Sequence, residues 1–78
     1  MKVINWKESR NMHGVVCRVE LHDHSFISKD GKEIAYYTVT IDSWTEDKDG
    51  DTLRVRYNLE KEFDSFKDAR NAFESERI

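Results

Sequence analysis

Apolar and polar residues alternate with a period of two in three stretches of this chain, and that period is typical of strands. The stretches are GVVCRVEL, IAYYTVTID and TLRVRYNL, at residues 14–21, 34–42 and 52–59. Successive side chains of a strand point to opposite faces, and β-branched and aromatic residues favour strands. The odd-numbered residues of all three stretches, such as Val19, Val39 and Val55, are therefore predicted to share the core face of one antiparallel sheet.

The carboxy-terminal stretch changes to a helical period. Ser65, with Asp68 three residues later, resembles a capping box and predicts where a helix begins. The apolar residues that follow fall on one helical stripe, namely Phe66, Ala69, Ala72 and Phe73. The predicted fold class is α+β, with an antiparallel three- to four-stranded sheet and one carboxy-terminal helix packed on one face.

A chain of 78 residues is expected to form a single domain, 1–78. Residues 1–13 are an amino-terminal segment that is apolar enough for an extra strand, 14–63 form the sheet and 65–76 form the helix. No long apolar run predicts a membrane span, and a single cysteine, Cys17, indicates a reducing, cytoplasmic setting. An exposed sheet edge can pair with a second copy, so a homodimer stays open.

Two glycine turns predict hairpins. A two-residue loop at Asp49-Gly50 would pair Trp44 with Val55. Since Trp44 is even-numbered and the core residues of its strand are odd-numbered, we expect a β-bulge near residues 42–43. A two-residue loop at Asp30-Gly31 likewise puts odd- and even-numbered residues on one face, which predicts a second irregularity within residues 22–25.

The stretch TEDKDGDTLRVRY, residues 45–57, resembles a calcium loop because its aspartates alternate. If Asp47 is position 1 of an EF-hand, position 6 is Thr52 and position 12 is Asn58, whereas the loop needs glycine and glutamate there. A zinc site would have to draw on His13, Cys17, His22 and His24. Cys17 and His22 are predicted on opposite faces of one strand, so these ligands do not converge. We predict no metal and no cofactor.

Catalysis is not expected either. Cys17 lies between valines on a predicted core face, where a thiol is usually inert. The three glycines are isolated, so no glycine-rich phosphate loop is present. The protein is predicted not to be an enzyme, and its function is predicted to be binding.

Acidic residues are concentrated in one segment. The chain carries 16 acidic and 13 basic side chains, a net charge of −3, and residues 42–51 hold five acids and only one base. In size, acidity and layout the chain resembles small phage-type inhibitors such as anti-CRISPR proteins, which implies binding to a basic surface of a protein partner, including a nucleic-acid-binding complex. The predicted partner-binding residues are Asp42, Trp44, Glu46, Asp47, Asp49 and Asp51.

An alternative is DNA binding by the outer face of the sheet. Three strands followed by FDSFKDARNAFE resemble, over residues 14–76, the βββα DNA-binding domain at the amino end of tyrosine integrases, which implies a sheet in the major groove. The alternative nucleic-acid-binding residues are Arg18, Tyr36, Arg54 and Arg56. The chain departs from that family in its acidity and in lacking basic flanks. Arg54 and Arg56 could instead pair with Glu20 across the sheet or be solvated.

Overall fold

The computed structural model describes residues 2–78, which form six strands and one helix. The elements are β1 (Lys2–Arg10), β2 (Val15–Asp23), β3 (Phe26–Ile27), β4 (Glu33–Ile34), β5 (Tyr37–Glu46), β6 (Thr52–Phe63) and α1 (Phe66–Ser75). Four strands make an antiparallel sheet in the order β1-β2-β5-β6. The α+β prediction is confirmed, with the amino-terminal segment supplying a fourth strand.

The sequence did not predict the second, two-stranded sheet, β3-β4. It is the far end of the long β2–β5 hairpin, where Phe26 pairs with Ile34. The hairpin keeps its register across the break, because Asp23 pairs with Tyr37 and the His24 N–H donates to the Tyr36 carbonyl at 2.8 Å. The chain is interrupted at residues 24–25 as expected, but the predicted change of register there is wrong.

Three hairpin turns, at residues 11–15, 28–32 and 47–51, share one geometry. In each turn, the N–H of the first residue donates to the carbonyl of the fifth residue. The N–H of the glycine, the fourth residue, donates to the carbonyl of the first. The glycines, Gly14, Gly31 and Gly50, have φ of 78°, 84° and 86°. These are three-residue loops closed by a glycine in the left-handed region. The predicted two-residue loops are therefore wrong, and the extra loop residue removes the conflict between odd- and even-numbered residues at 22–25.

The bulge predicted near residues 42–43 is confirmed in position. Ser43 pairs with Tyr57 and Trp44 pairs with Val55, so Arg56 is an extra residue in β6. A second shift follows between Thr45 and Glu46. The inserted residue thus belongs to β6, whereas the sequence argument had placed the irregularity in β5.

The core lies between the helix and one end of the sheet. Ala69 and Phe73 are buried against a cluster from β2 and β5, namely Val19, Leu21, Val39 and Ile41. The helix starts beside Tyr37, whose ring contacts Phe66, and ends beside β1, where Lys7 Nζ donates to the Glu76 carbonyl. Ser65 caps the helix through the Asp68 N–H, as predicted.

Strand β6 contributes little to this core. Val55 is 67 % exposed, and Leu53, Tyr57 and Leu59 are also exposed, so the predicted core contacts of Val55 are wrong. The helix crosses the sheet near the Tyr37 end, while β5 and β6 continue well past it. The result is an elongated molecule of 51 × 23 × 16 Å whose distal end has no helix over it. Phe66, also predicted as core, remains 41 % exposed.

Candidate functional site

The tip of the β5–β6 hairpin uses one of its acids to hold the turn. The Asp47 carboxylate accepts the N–H groups of Asp49 and Asp51, at 2.8 and 3.0 Å. Such side-chain bonds to nearby backbone stabilise turns. Asp47 therefore has a structural role, whereas Asp49 and Asp51 are exposed and free to meet a partner.

Glu46 is held at the base of the same hairpin. Its carboxylate accepts the Trp44 indole N–H at 2.7 Å and forms an ion pair with Arg10. The bond from Trp44, followed by the contact with Arg10, lowers the pKa of Glu46. Trp44 and Glu46 thus form one hydrogen-bonded unit with β1, and the charge of Glu46 is already neutralised within the chain.

Asp42 lies on the face of the four-stranded sheet opposite the helix, which we call the open face. Strand pairing places it between Arg18 and Asn58. Burial, and then the negative charge of Glu20, raise the pKa of Asp42. Its charged form is therefore disfavoured in the isolated protein, because two carboxylates share a partly desolvated neighbourhood.

The open face carries an excess of negative charge. Strand register and alternation place six carboxylates there, those of Glu8, Glu20, Asp42, Glu46, Glu60 and Glu62. Only two arginines accompany them, Arg10 and Arg18, and both form ion pairs with acids of the same face. Within the described residues, Asp42, Glu60 and Glu62 have no basic partner. The face is thus a negative surface with no free positive charge.

Sequence reasoning missed Glu8, Glu60 and Glu62 as members of this surface, and it named Glu20 only as a pairing partner for Arg54 and Arg56. The signal was present, since in NLEKEF the two glutamates alternate with Leu59, Lys61 and Phe63. Following the period of two beyond residue 59 would have extended the third strand to Phe63 and placed both glutamates opposite the helix.

The four residues predicted for DNA binding do not form one surface. Arg18 lies on the open face, stacks on the Trp6 ring at 4.4 Å and donates to Glu20 at 2.7 Å. Tyr36 lies at the other end of the sheet and donates to Glu62. Glu20 pairs with Arg18, so the suggested pairing of Arg54 and Arg56 with Glu20 is not observed.

Arg54 and Arg56 lie apart, near Thr45 and Tyr57. The bulge causes this separation. Without the extra residue, Arg54 would share the open face with Asn58, but the register shift pairs it with Thr45 on the helix side of the sheet. Strand β6 thus carries Arg54 and Arg56 on one face and Glu60 and Glu62 on the other.

His22 and His24 stack with ring centres 5.8 Å apart, but Cys17 lies on the other face of the sheet. His22 Nε2 hydrogen-bonds Glu20 at 3.0 Å, and His24 Nε2 hydrogen-bonds Thr38 Oγ1 at 2.9 Å. Cys17 lies on the helix side with its sulfur 3.8 Å from the Tyr57 hydroxyl. Across residues 2–78, no three histidine, cysteine or carboxylate side chains are placed together so that they could hold a metal ion.

No family model, curated protein or solved structure matches the chain. The resemblances to phage-type inhibitors and to integrase DNA-binding domains therefore stay predictions. In the part of the chain that the structure describes, the single helix is ten residues long and polar on one side, which is too short and too polar to cross a bilayer.

Proposed function

We propose that the protein is a noncatalytic binding protein whose open face and acidic hairpin tip bind a basic surface of a protein partner. The observation that carries this proposal is the negative open face, on which both arginines are already paired with acids. Like charges held together cost stability, and a partner that neutralises them offsets that cost. Burial raises the pKa of Asp42, and the negative charge of Glu20 adds to that rise.

The open face also offers apolar contact. Trp6 is 53 % exposed above Arg18, and Trp44 lies beside Val55 at the distal end. Aromatic residues surrounded by polar groups are typical of protein interfaces. Four strands spaced by about 4.8 Å and about 30 Å long give a surface on the order of 600 Å², close to what one partner contributes to a standard interface.

A specific form of this function is inhibition. A flat negative surface with a narrow acidic tip has the charge that a basic nucleic-acid channel attracts, in line with the resemblance to phage-type inhibitors. We place this binding in a reducing compartment such as the cytoplasm, since the one cysteine is free.

The first test compares two charge-matched variants. Glu60→Gln with Glu62→Gln removes two charges from the open face, and the second amide can still accept from Tyr36. The control, Glu33→Gln with Glu74→Gln, removes two exposed charges elsewhere, from β4 and from the helix. Both variants are compared with the parent in a pull-down from nuclease-treated lysate, followed by association kinetics with the protein recovered.

We expect the open-face variant to associate several-fold more slowly and to lose part of its salt dependence, because surface charges act mainly by steering. The control variant should match the parent. Equal slowing by both variants would show that only net charge matters. Loss of all binding after nuclease treatment would show that the recovered partner was nucleic acid, and either result would refute the proposal.

The hairpin tip is tested separately. Asp49→Asn with Asp51→Asn leaves Asp47 in place to hold the turn, so the fold should be unchanged. We expect this variant, like the open-face variant, to associate with the partner more slowly and with less dependence on salt. A calorimetric titration of the parent with calcium should show no stoichiometric heat. Unchanged association by the tip variant would confine the binding surface to the open face.

DNA binding is a second candidate, and it rests on Arg54 and Arg56. Neither forms an ion pair with a carboxylate within residues 2–78. If they contact phosphates of a duplex, affinity should fall steeply with salt, and Arg54→Ala with Arg56→Ala should reduce that slope. No duplex binding at low salt would remove this candidate.

A further inference from the structure

The bulge in β6 gathers a depression whose charged lining residues are both arginines. It has a volume of about 320 Å³ and is lined by Thr45, Arg54, Arg56 and Tyr57. Its two arginines lack carboxylate partners, whereas Arg10, Arg18 and Arg70 each form an ion pair. Two adjacent guanidinium groups without counter-ions repel each other, and an anion between them would remove that repulsion.

Arg56 is oriented before any ligand arrives. Its Nη1 donates to the Ser43 hydroxyl at 3.1 Å, and that hydroxyl in turn donates to the Val16 carbonyl at 2.9 Å. Ser43 is buried, so it is a fixed anchor for an otherwise long and flexible side chain. A guanidinium has five N–H donors, so this bond leaves the others for a ligand. A pre-oriented donor loses less conformational entropy on binding.

Thr45 and Tyr57 complete the wall of the depression. Tyr57 lies beside Arg56, whose guanidinium carbon is 5.8 Å from the ring centre. Thr45 Oγ1 contacts the Arg54 carbonyl at 3.4 Å, which places it at the same edge. The Thr45 hydroxyl donates to that carbonyl and the Tyr57 hydroxyl lies 3.8 Å from Cys17 Sγ, so the donors left for a ligand are the arginine N–H groups. Arginine forks recognise phosphoryl oxygens, and a phosphate monoester offers about two negative charges and three acceptor oxygens.

We propose that Thr45, Arg54, Arg56 and Tyr57 form a binding site for the phosphoryl group of a small phosphate monoester. The depression is near the small end of the range of about 300–1,000 Å³ seen for ligand sites. An extended polyanion fits less well, because the exposed Asp49 and Asp51 lie on the adjoining tip and the opposite face of β6 is acidic. A single phosphoryl group reaches the arginines without lying along those acids.

The experiment is an NMR titration of the full chain with phenyl phosphate at constant ionic strength. We expect saturable shifts at the amides of the four site residues, with a dissociation constant on the order of 1 mM. Arg54→Gln should weaken binding at least about tenfold. Arg54 makes no side-chain bond that the fold needs, so this variant is expected to fold, and Arg56→Gln should act in the same direction. Arg70→Gln, which alters a paired helix arginine, is the control.

Three results would refute the proposed phosphate-binding site. Acetate binding as tightly as phenyl phosphate would show a general anion effect, and equal weakening by Arg70→Gln would show that only net charge matters. A short DNA duplex that binds more tightly than phenyl phosphate, with a steep salt dependence, would assign the arginines to DNA instead. The open-face variant, Glu60→Gln with Glu62→Gln, should bind phenyl phosphate as the parent does, so this site can fail or hold independently of the proposed function.

Discussion

Replacing Gly14 with alanine should cost more stability than the same change at Gly31 or Gly50, although the three glycines share one turn geometry. All three have positive φ, which costs an alanine about 1–2 kcal/mol. A Cβ atom at Gly31 or Gly50 would meet nothing within 4 Å. At Gly14 it would lie 2.5 Å from the Glu46 carbonyl oxygen, a distance that real Cβ contacts do not show.

The extra cost at Gly14 comes from the contact between two hairpins. The Glu46 N–H donates to the Gly14 carbonyl at 2.8 Å, which joins the β1–β2 turn to the end of β5. To admit a methyl group the two backbones must separate, and this bond is lost. A backbone group left without a partner costs about 1–3 kcal/mol. The total expected for Gly14→Ala is therefore about 2–5 kcal/mol, against about 1–2 kcal/mol for the other two variants.

Urea denaturation followed by tryptophan fluorescence measures this difference, because Trp44 lies next to the affected strand end. The three alanine variants should have similar slopes with denaturant and different midpoints. If the free energy of unfolding of Gly14→Ala lies within about 0.5 kcal/mol of that of Gly50→Ala, which is the usual spread of surface substitutions, the close approach of the turn to β5 is not real.

Further expectations concern the core, the helix cap and the charge on the open face. Phe73→Ala should destabilise by about 3–5 kcal/mol because the ring is buried, whereas Phe66→Ala should cost far less, and denaturant melts that find the two equal would contradict the core assignment. Ser65→Ala should cost about 1 kcal/mol through loss of the helix cap, with Ser65→Asp restoring most of it. The folded pKa of Asp42 is raised, so its destabilising effect grows as pH rises from the unfolded pKa of about 3.9 through the folded pKa. Asp42→Asn should therefore stabilise the protein at pH 7, and the gain in the free energy of unfolding should disappear as pH falls towards 4. If the gain stays the same across this pH range, the unfavourable surroundings described for the Asp42 carboxylate on the open face are contradicted.

Local patterns were sufficient to predict the main strands β2 and β5 and the helix, although not the separate β3-β4 sheet. Alternation in residues 14–21 and 34–42 placed Val19 and Val39 on the buried face, and the helix period with Ser65 placed the helix and its start. These signals succeed because each depends on residues close in sequence. The β-bulge was predicted in position from a two-residue loop that the structure does not have. The predicted pairing of Trp44 with Val55 is nevertheless observed, because the second register shift, between Thr45 and Glu46, compensates for the extra loop residue.

The features that could not be predicted depend on how elements that are distant in the sequence pack together, such as how much of the sheet the helix covers. Alternation in β6 is as clean as in β5, yet Val55 is exposed because the bulge places it beside Trp44 on the open face. Leu59 is exposed because the helix packs its buried residues on β2 and β5. The pairing of Glu46 with Arg10 brings together residues 36 apart in the chain. That pairing changes which acids of the predicted site are free, and nothing local in the sequence indicates it.

The position of the helix also divides the molecule by local stability. Amides of β2 and β5 beneath Ala69 and Phe73 lie in the helix-covered core and should open only when the whole chain unfolds. Amides beyond Cys17 and Ser43 have sheet hydrogen bonds but no covering layer, so they should exchange with solvent through smaller, local openings. The acidic tip and the arginine depression both lie in this less protected half. Either surface can therefore adjust its shape to a ligand while the helix-covered half stays folded and holds the strands in register.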